Sequence, residues 1–132
     1  MILHSESDKR LIVKGKLNDK DVSFLVDTGA ATGLIHRTAV KKYGLNVNKN
    51  HSVNLVGAGG DFKAYLCNTP LVIANRTIYQ FLIADISDVV NSIKRQTGIE
   101  IAGIIGLNQM KMMGMAIDTD DNYIEIGGKE LG

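Results

Sequence analysis

Short apolar stretches separated by polar turns dominate the chain, and helical spacing is confined to brief segments. Residues 11–17 and 22–26 flank the polar run Asn18, Asp19, Lys20 and Asp21, a pattern that predicts a β-hairpin. A similar unit recurs in residues 71–73, the turn-like Ala74, Asn75 and Arg76, and residues 77–83. The first unit ends in Phe24, Leu25 and Val26 before Asp27; the second ends in Phe81, Leu82 and Ile83 shortly before Asp85. This recurrence predicts a duplicated hairpin template of two half-domains. Between them, residues 51–66 carry two apolar arms around Gly57, Gly59 and Gly60, which predicts a third hairpin with a glycine-rich tip.

Helical pattern covers residues 36–43, stopped by Gly44, and residues 107–113, stopped by Gly114. Residues 88–94 add one helical turn, with Gln96, Thr97 and Gly98 as a loop. Residues 115–117 and 123–126 flank the polar segment 118–122 and predict a last hairpin. The expectation is a mostly β fold with two or three short helices, in a single domain spanning residues 1–132 without linkers.

Composition narrows the partners. At 45% apolar, 22% charged and net charge +1, the chain has ordinary globular composition. Lys and Arg are scattered along the chain without a long basic run, Lys41 and Lys42 being the one cluster of note, so nucleic acid is not an expected partner. Cys67 is the single cysteine, and its expected role is that of a small buried hydrophobe. His4, His36 and His51 are too far apart in sequence to form a metal pair alone, so neither metal nor cofactor is expected. The first ten residues lack the apolar core of a signal peptide, and no apolar run approaches membrane-spanning length. A soluble protein is expected, with no membrane partner.

Asp27 raises the chemical question, because a carboxylate ends a run of bulky apolar residues. Glycines between a strand and a helix suit a phosphate, yet Gly29 and Gly33 lack the Gly-x-Gly spacing of a dinucleotide loop and the Lys of a P-loop. Gly57 and Gly59 begin such a fingerprint, but Phe62 stands where its last glycine belongs. A phosphotransfer Asp-x-Asp is excluded by Gly29. An Asp leaving a β core stays charged only if donors surround it, and Thr28 and the backbone at Gly29 supply them in a tight turn. Such a turn could be purely architectural.

The surrounding residues carry more. The run Phe24-Leu25-Val26-Asp27-Thr28-Gly29-Ala30 resembles the active-site signature of aspartic proteases in their single-domain, retroviral-protease-like (retropepsin-like) form. The stretch Ala102-Gly103-Ile104-Ile105-Gly106-Leu107-Asn108 is similar to that family's second signature, a strand passing behind the catalytic loop. A glycine-rich hairpin, residues 53–65, lies between them where the family has its flap. The resemblance implies the retropepsin-like acid protease fold, closed and barrel-like, built on a duplicated hairpin template. Viral members often carry a second Asp after the catalytic loop and an Arg after the second signature; here those places hold Ala31 and Leu107. That makes the chain resemble cellular or bacterial members. A Ser or Thr common in the loop is Gly33 here, which predicts a looser loop, and the segment from Ile83 to Gly103 is longer than in compact viral members.

Aspartic proteases share one proton between two Asp side chains, and this chain has a single Asp-Thr-Gly. The resemblance therefore implies a homodimer with an Asp27/Asp27 dyad across a two-fold axis, Asp85 being the weak intramolecular rival. By the same resemblance Asp27 is acid and base by turns, Thr28 hydrogen-bonds across the dyad, and Gly29 offers backbone to an extended peptide substrate. The flap tip, Val56, Gly57, Ala58, Gly59 and Gly60, closes over that peptide, and Ala30, Ala31, Leu55, Val56 and Ile105 line apolar side-chain pockets. An aspartic endopeptidase is the expected function. The alternative is a dimeric binding or scaffolding module that keeps the fold without proteolysis.

Overall fold

The first hairpin forms because its turn residues accept a left-handed backbone. In a computed structural model describing residues 1–57 and 60–127, strands β2 (Ile12–Leu17) and β3 (Lys20–Val26) meet at Asn18 and Asp19, both at positive φ (49° and 67°). Two such residues give the tight loop whose twist matches paired strands. A first strand, β1 (Ile2–His4), precedes them and has no counterpart in the sequence reading. After β3 come β4 (Leu34–His36), α1 (Thr38–Tyr43), β5 (Val47–Gly57) and β6 (Gly60–Cys67). Helix α1 stops at Gly44, whose φ of 64° suits a residue without Cβ. The Asn18 side chain caps its end by donating to the Tyr43 and Gly44 carbonyls.

The second hairpin repeats the first turn: β7 (Leu71–Ile73) and β8 (Arg76–Ile78) are joined by Ala74 and Asn75, again both at positive φ. The expected single strand over residues 77–83 is two strands, however. β8 ends at Ile78, Gln80 takes φ 70°, and β9 (Leu82–Ala84) departs to lie between β4 and β6. The helical turn expected at 88–94 is a full helix, α2 (Ser87–Thr97), ending at Gly98. Its length follows from Ile86, Val89, Val90 and Ile93, whose spacing gives one apolar stripe to bury. β10 (Gly103–Ile105), α3 (Leu107–Met113), β11 (Met115–Asp118) and β12 (Tyr123–Ile126) complete the chain, the last two as the expected hairpin.

Strand pairing gives a three-stranded sheet, β1-β12-β11, and a nine-stranded sheet, β5-β6-β9-β4-β10-β3-β2-β7-β8. Among the described residues the order of the larger sheet runs from β5 at one end to β8 at the other. Its centre explains the unbroken apolar runs. β10 pairs parallel to β3, with Ile104 beside Leu25 and Ile105 beside Val26. Phe24, Val26 and Ile105 face the main core, while Leu25 and Ile104 face the opposite side, where α2 covers them with Val90 and Ile93. Strands buried on both faces read as continuous apolar runs rather than as alternation. Among the described residues no helix is long and apolar enough to cross a membrane.

Candidate active site

Asp27 sits where β3 runs out of the sheet. Its backbone N–H donates to the Ile105 carbonyl (3.0 Å), the last bond of the parallel ladder between β3 and β10. The chain then turns sharply: the Gly29 N–H donates to Asp27 Oδ1 (2.9 Å) and the Ala30 N–H to the Asp27 carbonyl (3.2 Å). The architectural Asx-type turn is therefore real, and it aims a half-buried carboxylate outward with one oxygen fixed. Thr28, Gly29 and Ala31 are exposed. Among the described residues, the Thr28 hydroxyl has no hydrogen-bond partner within the chain.

The start of α3 fastens the other side of the loop. The Leu107 N–H donates to the Ala30 carbonyl (2.8 Å) and the Asn108 N–H to the Ala31 carbonyl (3.1 Å). Gly106 permits this approach: a Cβ there would lie 2.6 Å from Gly33 N and Thr32 C. Gly33 does not loosen the loop as expected. Its N–H donates to Gln109 Oε1 (2.9 Å) and lies 3.3 Å from Asn108 Oδ1, so side chains of α3 hold its backbone. Gln109 went unnoticed in the sequence, where a lone Gln among methionines gives no signal.

The other expected residues divide. Leu55, two residues before the end of β5, packs against Ala64, Leu82 and Ala84, as does Leu34; Leu34 also packs against the cluster under α2, as does Ala30. Val56 is 85% exposed. Gly57, the last residue of β5, pairs with Gly60, the first of β6, while Ala58 and Gly59 lie outside the described residues. Ile105 corrects the expectation. It is 0% exposed in the main core, because the two-residue strand period turns it away from the face that Ile104 shares with Ala30. A depression of about 350 Å³ adjoins the turn, lined by Arg10, Leu11, Val26 and Thr28 on one side and Ile117, Asp118 and Asn122 on the other. Apart from Val26 and Thr28, these residues are remote from Asp27 in sequence and no local pattern links them to it.

Asp85 is committed elsewhere. Its Oδ1 accepts from the Ser87 hydroxyl (2.7 Å) and the Ser87 N–H (3.0 Å) at the start of α2, and its Oδ2 lies 3.4 Å from Arg37 Nε. The Ser87 hydroxyl, then its N–H, then Arg37 hold the carboxyl down to about 2. A depressed carboxyl contributes stability above its unfolded value of about 3.9 and loses it as pH falls through the folded value. An NMR titration of Asp85 is therefore expected to show a midpoint near 2; a midpoint near 4 would remove the Ser87 clasp as its cause. Cys67 is buried, and burial pushes its thiol above the ordinary range, as befits a small hydrophobe rather than a nucleophile.

A family model described as aspartyl protease matches residues 13–109. Among solved structures, an EIAV protease complexed with the inhibitor HBY-793 superposes with a TM-score of 0.61 at 19% identity, over 83% of this chain and 92% of that one. The retroviral protease-like domain of Ddi1 from Leishmania major gives 0.56 at 21% identity, over 91% of this chain and 90% of that one. At these identities the likeness concerns the fold, which is retropepsin-like and mostly β. No curated protein matches the sequence.

Proposed function

Because the chain belongs to the aspartyl protease family, whose model spans residues 13–109, we propose that it is an aspartic endopeptidase acting as a homodimer, with Asp27 from each copy forming the catalytic dyad. The observation that carries this reading is the presentation of Asp27. One carboxylate per chain stands at the end of the β3–β10 ladder, on a turn fixed from both sides, with the exposed Thr28 and Gly29 beside it. Two carboxylates brought close cannot both ionise, so the pair holds one proton.

The ionised member takes a proton from a water as its oxygen attacks the scissile carbonyl carbon, while the protonated member gives its proton to the carbonyl oxygen. Collapse of the resulting diol then moves a proton to the leaving amine and restores the shared state. Thr28 is placed to reach across the two-fold axis and hold the loops together. Gly29 offers backbone groups to an extended peptide, over which the hairpin of β5 and β6 lies as a flap. Ala30, Ala31, Leu55 and Val56 present small and aliphatic surface, which suits apolar side chains flanking the cut. Cleavage of a mixed peptide library from acidic to neutral pH tests the reading, with Asp27→Asn as its control.

Association is the second expected result. Sedimentation velocity should find a dimer at assay concentrations; a strictly monomeric protein that still cleaves peptides would sink the shared site. Leu107, 41% exposed and bonded through its N–H to Ala30, stands with Ala31 where an ion pair would otherwise form. Charges beyond a Debye length of about 10 Å at 0.1 M salt are screened, whereas apolar contacts are not weakened by salt. The dimer should therefore persist from 0.1 to about 1 M salt.

A further inference from the structure

Gln109 is fully buried at 0% exposure, yet its carboxamide is saturated. Oε1 accepts from the N–H of Gly33 (2.9 Å) and of Gly106 (3.1 Å); Nε2 donates to the carbonyls of Gln80 (3.1 Å) and Tyr79 (3.3 Å). Three segments distant in sequence thus meet on one side chain: the loop after Asp27, the crossing that opens α3, and the break between β8 and β9. All four bonds go to backbone, so the contact fixes chain paths rather than neighbouring rotamers.

Each partner needs this carboxamide for its own reason. Gly33 lies at the end of the catalytic loop, and its N–H points inward to Gln109 Oε1 at 2.9 Å, with Asn108 Oδ1 a longer second acceptor at 3.3 Å. The Cβ of any other residue at 33 would sit 2.6 Å from Oε1 and 2.7 Å from both the Ile104 carbonyl oxygen and the Phe81 ring, so only glycine lets the chain lie this close to the carboxamide. Gln80 is at φ 70°, and its carbonyl has turned out of the strand line where Nε2 meets it. The next residue, Phe81, packs edge-to-face on Phe24 (5.4 Å), three residues before Asp27.

We propose that Gln109 is a positioning residue for the Asp27 turn, its carboxamide setting the distance between the catalytic loop and the Gly106 crossing. The inference rests on the proteolytic reading for its kinetic consequence, but its geometric content stands apart. Misplacing a reacting group by about 1 Å costs about a hundredfold in rate, so loss of the clasp falls on kcat rather than on KM.

The test uses the full chain with Gln109→Met and Gln109→Glu. In Gln109→Met the volume is kept and all four bonds are lost. The Gly33 and Gly106 amides are expected to exchange at least about tenfold faster relative to Val13 in the core, and kcat to fall at least about tenfold with KM within about threefold. In Gln109→Glu, which also covers failure of the Met variant to fold, the neutral acid accepts with one oxygen and donates with the other. Burial raises such a carboxyl above its usual value of about 4.3, so the clasp holds at acid pH. Stability and Gly33 protection should then decline together as pH rises, in a limb the wild type lacks, and kcat should fall along that limb further than the dyad's own loss of its shared proton lowers it in the wild type. Unchanged Gly33 and Gly106 protection in both variants overturns the proposal, as does lost protection with wild-type kcat. If the wild type cleaves no peptide, the proteolytic reading falls alone. The Gly29 amide, bonded to Asp27 Oδ1, then decides: a shifted NMR signal in either variant sustains the proposal and an unmoved one ends it.

Discussion

Asp27→Asn is expected to lower kcat for peptide cleavage by roughly 10²–10⁴-fold, the range that a positioned acid or base contributes. Asn matches the shape of Asp and keeps an oxygen for the Gly29 N–H, so the turn bonded through Asp27 Oδ1 stays formed. What is lost is the group proposed to exchange a proton with water and substrate. Because two carboxylates approach across the proposed two-fold axis, the substitution also removes like-charge repulsion. Thermal unfolding should therefore show equal or higher stability, and sedimentation an equal or tighter dimer. Asp85→Asn is the internal control. Its carboxylate is held by Ser87 and Arg37 at the start of α2, so cleavage should proceed near the wild-type rate. Activity lost in Asp85→Asn at preserved stability, with Asp27→Asn still active, would reassign the site.

The features legible from sequence were those decided by neighbouring residues. Asn18 and Asp19, and then Ala74 and Asn75, make their turns locally, and Gly44 and Gly114 end helices because they adopt φ of 64° and 57°. The Asp27 turn was legible for the same reason, since its donors lie two and three residues downstream. What escaped depends on distant partners. The strand over 77–83 breaks because Gln109, some thirty residues later, takes the Tyr79 and Gln80 carbonyls. β1 exists only because β12 pairs with it, Leu3 opposite Ile124. Helix α2 was underestimated although its stripe was present, because the surface demanding that stripe, Leu25 and Ile104, is assembled from two other strands. Ile104 and Ile105 read alike in sequence, and only the register against β3 decides which of them faces Ala30's side.

Gly106→Ala is expected to disable the site through its backbone alone. Gly106 has φ −101° and ψ −176°, a conformation that Ala adopts freely, so the substitution carries no dihedral penalty. The cost is steric. The new methyl would lie 2.6 Å from Gly33 N and from Thr32 C and 2.9 Å from the Ala30 carbonyl oxygen, all main-chain atoms that cannot rotate aside. Either the crossing strand or the Asp27 loop must move by the better part of an ångström. Such a move stretches the Leu107 to Ala30 bond (2.8 Å) and the Gly106 to Gln109 bond (3.1 Å) that hold the Asp27 turn. Overpacking of this kind costs about 1–3 kcal/mol, and a displaced carboxylate loses about a hundredfold in rate. Gly44→Ala gives the contrast: at φ 64° with no atom nearer than 3.9 Å, it pays about 1 kcal/mol for the left-handed backbone and leaves the loop untouched. Urea unfolding and steady-state kinetics on the two variants separate the effects. Gly106→Ala should lose rate out of proportion to stability, and Gly44→Ala should lose stability alone. Wild-type kcat in a folded Gly106→Ala protein would mean that the crossing does not govern where Asp27 stands.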